Sequence, residues 1–268
     1  MQRICLSFLI WGLSSPLFGQ PPDSVKVSVD GKMFGWEKTS YYQLGNKRIP
    51  VKTIEYGNST AVVLLSVHDD ETTSVKAAEA VFEKTGGVLV RISNNNTRLI
   101  NFTLNRRKYR VDPNRIFTRT GIRQNLRELN GTYQEAAVIA VEKFGFYLLA
   151  KIPKNTATLV AVHNNRNEGY SAQSYLRGGA YENDIDDHHI HKSQDKDNFL
   201  LTTDKKLFKA LKSSGYNLLL QDNKEAKDDG SLSIYYGRKK KSYLNVETEL
   251  GQLEEQVRMI SAVVEALE

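Results

Sequence analysis

Apolar residues follow two rhythms along this chain. From Asp23 to Tyr56 they alternate: Val25, Val27 and Val29 share one face, and Gly31, Gly35, Gly45 and Gly57 punctuate the segment. Period-two alternation broken by glycine predicts small antiparallel strands. Then Ala61 to Val67 is a continuous apolar run, as expected of a strand buried on both faces. A helix is predicted from about Ser74 to Lys84, with Gly86-Gly87 as its stop and Val88 to Ile92 as the next buried strand. Asn94 to Phe117 is polar, basic and irregular. Tyr133 to Lys151 carries apolar residues at helical spacing (Ala136, Ala137, Ile139, Ala140, Phe144, Leu148), and Ala157 to Val162 is another buried strand. Glu168 to Asn198 is acidic and contains glycine. It is expected to be a long loop, a length usually tied to function. Asp204 to Ser213 suits a helix, and Tyr216 to Leu220, Ser231 to Tyr236 and Tyr243 to Val246 suit strands. Leu253 to Leu267 suits a closing amphipathic helix. Strands alternating with helices predict an α/β fold with a mixed, largely parallel sheet and helices on both faces. A small N-terminal β-rich segment (21–60) precedes the α/β domain (61–268).

The first residues break both rhythms. Arg3 precedes a charge-free stretch from Ile4 to Phe18 that Gly19, Gln20, Pro21 and Pro22 terminate. A run of about 15 residues is short for a bilayer span, which needs roughly 20. Residues 1–20 are therefore expected to be a secretory signal peptide, giving an exported, periplasmic or extracellular protein with no membrane span after its removal. Cys5, the one cysteine of the 268 residues, lies in that segment, so disulfides and cysteine nucleophiles are excluded from the mature chain. Hydrophobic residues at 40% and charged residues at 25% exclude wholesale disorder. The net charge of +6 admits an anionic partner such as an acidic cell-wall polymer. The clusters Arg106-Arg107-Lys108 and Arg238-Lys239-Lys240-Lys241 are expected to be solvated turns, with no nucleic-acid binding.

In α/β sheets ligands bind beyond the carboxyl ends of the strands, and two of the apolar runs end in histidine. Leu64-Leu65-Ser66-Val67 leads into His68, with Glu71 three residues on, and Leu159-Val160-Ala161-Val162 leads into His163. Two histidines and a glutamate are a known ligand set for a catalytic zinc, which keeps a fourth position open. Isolated, His-x-x-Glu is a weak signal, and both histidines also suit ordinary turn positions. A third run, Tyr243 to Val246, leads to Glu247 and Glu249, which alternation puts on one face. A carboxylate beside a zinc site can serve as general base. Asp112-Pro113-Asn114-Arg115 offers a guanidinium for a two-pronged grip on a carboxylate, or a simple turn opened by Asp-Pro. Asp186-Asp187-His188-His189-Ile190-His191 is dense in metal-capable donors, yet its place in the long loop favours a solvated rim.

Four of these segments, taken in order, resemble the zinc carboxypeptidase superfamily, and its small exported members most. His68-Asp69-Asp70-Glu71 is similar to the family's first metal motif, with Asp69 where glycine is usual. Asp112-Pro113-Asn114-Arg115 resembles the Asn-Arg pair, Val162-His163-Asn164 the last-ligand segment, and Val246-Glu247-Thr248 the catalytic-glutamate segment. The resemblance implies one Zn2+ per chain on His68, Glu71 and His163, with Glu247 as base. Asn114 and Arg115 would hold a substrate carboxylate. It implies hydrolysis of a peptide or of an amidated or acylated amino acid, with cell-wall peptides as one source. The family's carbonyl-polarising arginine is either Arg98 or Arg110. Its covering tyrosine is one of Tyr170, Tyr175, Tyr181, Tyr235 and Tyr236, and Glu249 competes with Glu247. A deacylase or esterase of N-acyl amino acids on the same fold is the first rival, and a non-catalytic peptide- or glycan-binding module is the second.

Overall fold

The computed structural model describes residues 28–29, 31–59, 61–167 and 169–267; the expected signal peptide lies outside the described residues, as does Glu168. The elements run in order β1 (Ser28–Val29), β2 (Lys32–Met33), β3 (Gly35–Leu44), β4 (Lys47–Tyr56), β5 (Val63–Ser66), α1 (Thr72–Thr85) and β6 (Gly87–Ile92). They continue with β7 (Ile100–Leu104), β8 (Arg107–Val111), α2 (Arg119–Asn130), α3 (Glu135–Leu149) and β9 (Thr158–Asn165). The last are β10 (Ile185–His189), β11 (Phe199–Thr202), α4 (Lys205–Leu211), β12 (Asn217–Gln221), α5 (Leu232–Arg238), β13 (Ser242–Glu249) and α6 (Leu253–Leu267).

Nine strands form one mixed sheet in the order β10-β12-β11-β13-β9-β5-β6-β4-β3. Its middle, β13-β9-β5-β6, is parallel throughout, and antiparallel strands flank it on both sides. The continuous apolar runs are explained by helices on both faces. Val63, Leu65, Val88 and Val90 pack with Ile122, Leu126, Val138, Val141 and Phe144 of α2 and α3. Leu64, Leu89, Val160 and Val162 point the other way, onto Val81, Phe82, Phe208, Ile260 and Val263 of α1, α4 and α6. Every second residue therefore serves a different core, and no polar face remains.

Several elements depart from the sequence-based expectation. Residues 35–56 of the alternating N-terminal segment form a ten-residue-by-ten-residue hairpin, β3–β4, that joins the main sheet because β4 pairs with β6, while Val25 and Val27 lie outside the described residues. The irregular 94–117 stretch contains the hairpin β7–β8, whose turn is made by Asn105 and Arg106 at φ of 50° and 62°. Two non-glycine residues in that region left no glycine to mark the turn. Ser231 to Tyr236, expected as a strand, is the start of helix α5. The Ser231 hydroxyl accepts from Ile234 N, and the cap overrides an alternating Leu-Ser-Ile-Tyr pattern. The long loop holds a real edge strand, β10, antiparallel to β12, so Asp186 to His189 are strung along a strand edge and His191 lies just past its end.

Candidate metal centre

Chain topology brings the chemistry together. β13, β9 and β5 are parallel neighbours, so their carboxyl ends lie side by side. His68 follows the end of β5 and His163 lies near the end of β9. Glu247 pairs in register with His163 across β13. Between β5 and α1 the chain turns tightly: Glu71 N donates to His68 O, and Glu71 precedes the first residue of α1. Its carboxylate is thereby turned back over the strand ends. His68, Glu71 and His163 are all buried, and each offers a ligand atom within 4.8 Å of the others.

Glu71 is the hub. Its Oε1 lies 2.7 Å from His68 Nδ1 and 2.8 Å from Arg98 Nη1, and its Oε2 lies 2.9 Å from His163 Nδ1. Asn164 N donates to the same Oε2 at 3.1 Å. Burial opposes ionisation of Glu71, but the two histidines outweigh it and hold the carboxyl well below the usual range. Burial likewise disfavours the charged form of His68, yet Glu71 and Asp112 push it up to about 9. The fit to a divalent cation follows from what this arrangement leaves unmatched. His68 Nδ1 is sealed from solvent and, despite its short distance to Glu71, is not aligned as a donor. Nε2 of His163 is also sealed and without a partner among the described residues. Two orphaned imidazole nitrogens about one carboxylate are the nitrogen-and-oxygen donor set zinc takes.

A residue missed as a functional position completes the set. Asp112 Oδ1 accepts from His68 Nε2 at 2.7 Å, the second carboxylate that commonly orients a metal-ligating histidine. Asp112 is itself fixed: its Oδ1 accepts from Asn114 N and its N donates to Asn125 Oδ1. The sequence signal was present in Asp-Pro-Asn-Arg, but that motif marks a turn equally well. Only the approach of β8's end to His68 gives Asp112 its second use.

Arg98 and Arg110 are now separated. Arg98 Nε lies 3.3 Å from Asp112 Oδ2 and its Nη1 reaches Glu71, so its side chain borders the centre. Arg110 donates instead to Leu129 O at the exposed side of α2. Asp69, the departure from the family's glycine, also acquires a use. Its Oδ2 accepts from Asn94 N and Asn96 N, anchoring the turn that delivers Arg98.

A cavity of about 600 Å³ opens beside the centre, and its walls include Glu71, His163, Arg98, Asn114, Arg115 and Glu247. Glu247 is buried, accepts from Asn245 Nδ2 at 3.1 Å, and has its pKa raised: burial pushes it up, and Glu71 adds to that. Glu249 does not line this cavity; it is half-buried at the strand end and accepts from Gln252. Tyr170, Tyr175 and Tyr181 line the cavity, whereas Tyr235 and Tyr236 pack toward the core around α5. The histidines of β10 form no metal-capable group among the described residues.

No protein-family model matches the chain, and no curated protein matches it. Several solved structures are similar. An aspartoacylase family protein from Mesorhizobium loti is 13% identical with a TM-score of 0.47, covering 87% of this chain and 67% of its own. A succinylglutamate desuccinylase/aspartoacylase from Rhodobacter sphaeroides is 13% identical with a TM-score of 0.43, covering 90% and 68%. A candidate metallopeptidase from Shewanella denitrificans is 12% identical with a TM-score of 0.38, covering 85% and 82%. At such identities no activity passes from them to this chain, whose chemistry has to follow from its own residues.

Proposed function

We propose that this protein is a zinc-dependent hydrolase that cleaves an amide bond beside a carboxylate-bearing residue. The observation that carries the reading is a buried His68–Glu71–His163 group, of which Glu71 and His163 line one cavity with a buried carboxylate, Glu247, and a guanidinium, Arg115. His68, Glu71 and His163 would hold one zinc ion per chain, with Asp112 orienting His68. Zinc in that position supplies Lewis acidity toward a carbonyl and lowers the pKa of water to about 7.

The chain's own groups do the rest. Glu247 takes the proton of the attacking water and returns it to the leaving nitrogen. Its raised pKa suits both halves of that task, because a base with a proton affinity closer to neutral is also a usable acid. Arg98 stabilises the negative charge that develops on the carbonyl oxygen. Asn114 and Arg115 hold the substrate's carboxylate at a fixed distance from Glu247. A peptide or an N-acylated amino acid meets these requirements. We further propose that residues 1–20 export the protein, which places it where cell-wall peptides are found. No described helix is long and apolar enough to cross a membrane.

The test is metal content of the purified protein beside the His68→Ala and His163→Ala variants, followed by a panel of peptides, N-acyl amino acids and esters. About one zinc per chain, lost in both variants, together with turnover of an amide, is the expected outcome. A protein that takes up no zinc when it is supplied would sink the hydrolase reading.

A further inference from the structure

The main sheet ends on a strand that is long and open. β3 is last in the strand order, and among the described residues nothing pairs with its outer side. Its sequence holds no proline, and its register with β4 runs unshifted from Gly35 to Leu44. Neither a proline nor a bulge therefore blunts this edge. Phe34, Trp36 and Tyr41, in and just before the strand, are exposed at 60%, 65% and 50%.

The hairpin partner decides which backbone groups of β3 are free. Tyr41 faces Pro50. Proline has no N–H, so this is a non-hydrogen-bonded pair, and Tyr41 turns its own N–H and C=O away from β4. Tyr147 Oη, reaching over from α3, donates to that outward carbonyl at 3.3 Å. By alternation Gly35, Glu37, Thr39 and Gln43 also turn their backbone groups outward.

An antiparallel copy of β3 has to set these odd-numbered positions against each other, so a two-fold axis between the copies falls on a single residue number. An axis at Glu37 or at Lys38 puts like charges face to face. An axis at Ser40 sets Trp36 against Leu44, which is fully buried and offers no surface. Axes nearer either end shorten the overlap. An axis at Thr39 sets Trp36 against half-buried Tyr42, an aromatic cross-strand pair. It also sets Glu37 against Tyr41, whose ring carries the Arg48 guanidinium at 3.6 Å. That register alone matches charge, exposed aromatic surface and backbone along nearly the whole strand.

We infer that β3 docks on β3 of a second copy of this chain, with Thr39 at the two-fold axis and Trp36 of each copy on Tyr42 of the other. Two nine-stranded sheets then join edge to edge. The axis reverses the strand direction between copies, so the two metal centres open at opposite ends of the joined sheet. No residue of β3 or β4 lines the cavity beside the metal centre, which stays clear of the interface.

The experiment is sedimentation of the purified full chain over the micromolar range, beside Thr39→Pro and Trp36→Ala. Thr39 N–H plays no part in the hairpin, so proline there removes bonds between copies and none within one. A concentration-dependent dimer is expected, weakened about tenfold or more by either substitution while the circular dichroism spectrum stays that of the parent. Cysteine placement tests the register without relying on proline. In a Cys5→Ser background, a short bismaleimide should link Thr39→Cys chains in pairs across the axis. Gln43→Cys, carried far from its own copy by antiparallel pairing, should not be linked. A chain that stays monomeric throughout overturns the inference. So does a dimer that both substitutions leave intact, or one linked equally well through Gln43→Cys.

Discussion

Glu247 and Asp112 are carboxylates in one site with opposite environments. Asp112 loses solvent but gains His68 and Arg98, which hold it ionised far below the ordinary range. Glu247 loses solvent and gains only the Asn245 amide and the more distant histidines, so burial prevails and its pKa rises. Those environments suit different tasks in the proposed reaction, Asp112 fixing His68 and Glu247 moving a proton. Glu247→Gln should keep about one zinc per chain while kcat falls by roughly 10²–10⁴, the usual contribution of a positioned base; metal content and turnover measured on one preparation check this. Asp112→Ala should do the reverse, weakening zinc by about 10- to 100-fold through a loosened His68, as read by competition with a chelator. Arg98→Met should lower kcat by about 10²–10³ and leave zinc affinity near the wild-type value.

The elements that carry these residues are braced by unusual contacts. Helix α6 places buried Gln256 under β9, donating to His163 O at 2.9 Å and accepting from Asn164 Nδ2 at 2.8 Å. Helix α2 meets the loop before α5 at two glycines. A Cβ built on Gly121 would lie 2.0 Å from Gly230 Cα, 2.2 Å from Gly230 N and 2.6 Å from Asp229 C, all backbone atoms. Gly121→Ala therefore cannot be absorbed by a side-chain shift. It should cost about 1–3 kcal/mol in denaturant unfolding and displace the Asp229 turn from Arg115. Asp69 plays the corresponding part for the turn at Asn94 to Thr97, where Asn95 and Asn96 adopt left-handed φ of 55° and 56° and the carboxylate ties down the backbone that presents Arg98.

Across the molecule the buried centre couples folding to pH. His68 has a folded pKa of about 9 against a reference of 6.5, so its contribution in the metal-free protein is complete below pH 6.5 and is lost as pH rises through 9. Glu71 and Asp112 are shifted the other way. Their contribution is present above the ordinary carboxylate range and is lost as pH falls below it. Metal-free protein should thus be most stable between about pH 4.5 and 6.5, declining by up to about 3 kcal/mol toward pH 9. A zinc ion held by His68 would take the place of its proton, so the metal-loaded protein should not show the alkaline decline, and zinc affinity should tighten over the same window. Thermal unfolding with and without metal across pH 5 to 9 measures both. A Tm of metal-free protein that climbs steadily to pH 9 would contradict the coupling.

Much of this was legible in one dimension. Apolar runs ending at His68, His163 and Glu247 marked parallel strands and their carboxyl ends, because burial on both faces demands unbroken hydrophobicity and α/β sheets build sites where those runs stop. Local rules were less reliable wherever two were in competition. Ser231 as a helix cap prevailed over an alternating strand pattern, and β7–β8 turned through asparagine and arginine without glycine. Contacts between residues far apart in sequence left no trace in either rhythm. Which of Arg98 and Arg110 borders Glu71, and which of Glu247 and Glu249 lines the cavity, depends on where the packed elements place their side chains. So do the second use of Asp112 and the Arg115–Asp229 pair, which spans segments 114 positions apart (229 − 115). Sequence periodicity records which face of an element is buried; it carries no information about which polar groups meet once those faces have packed.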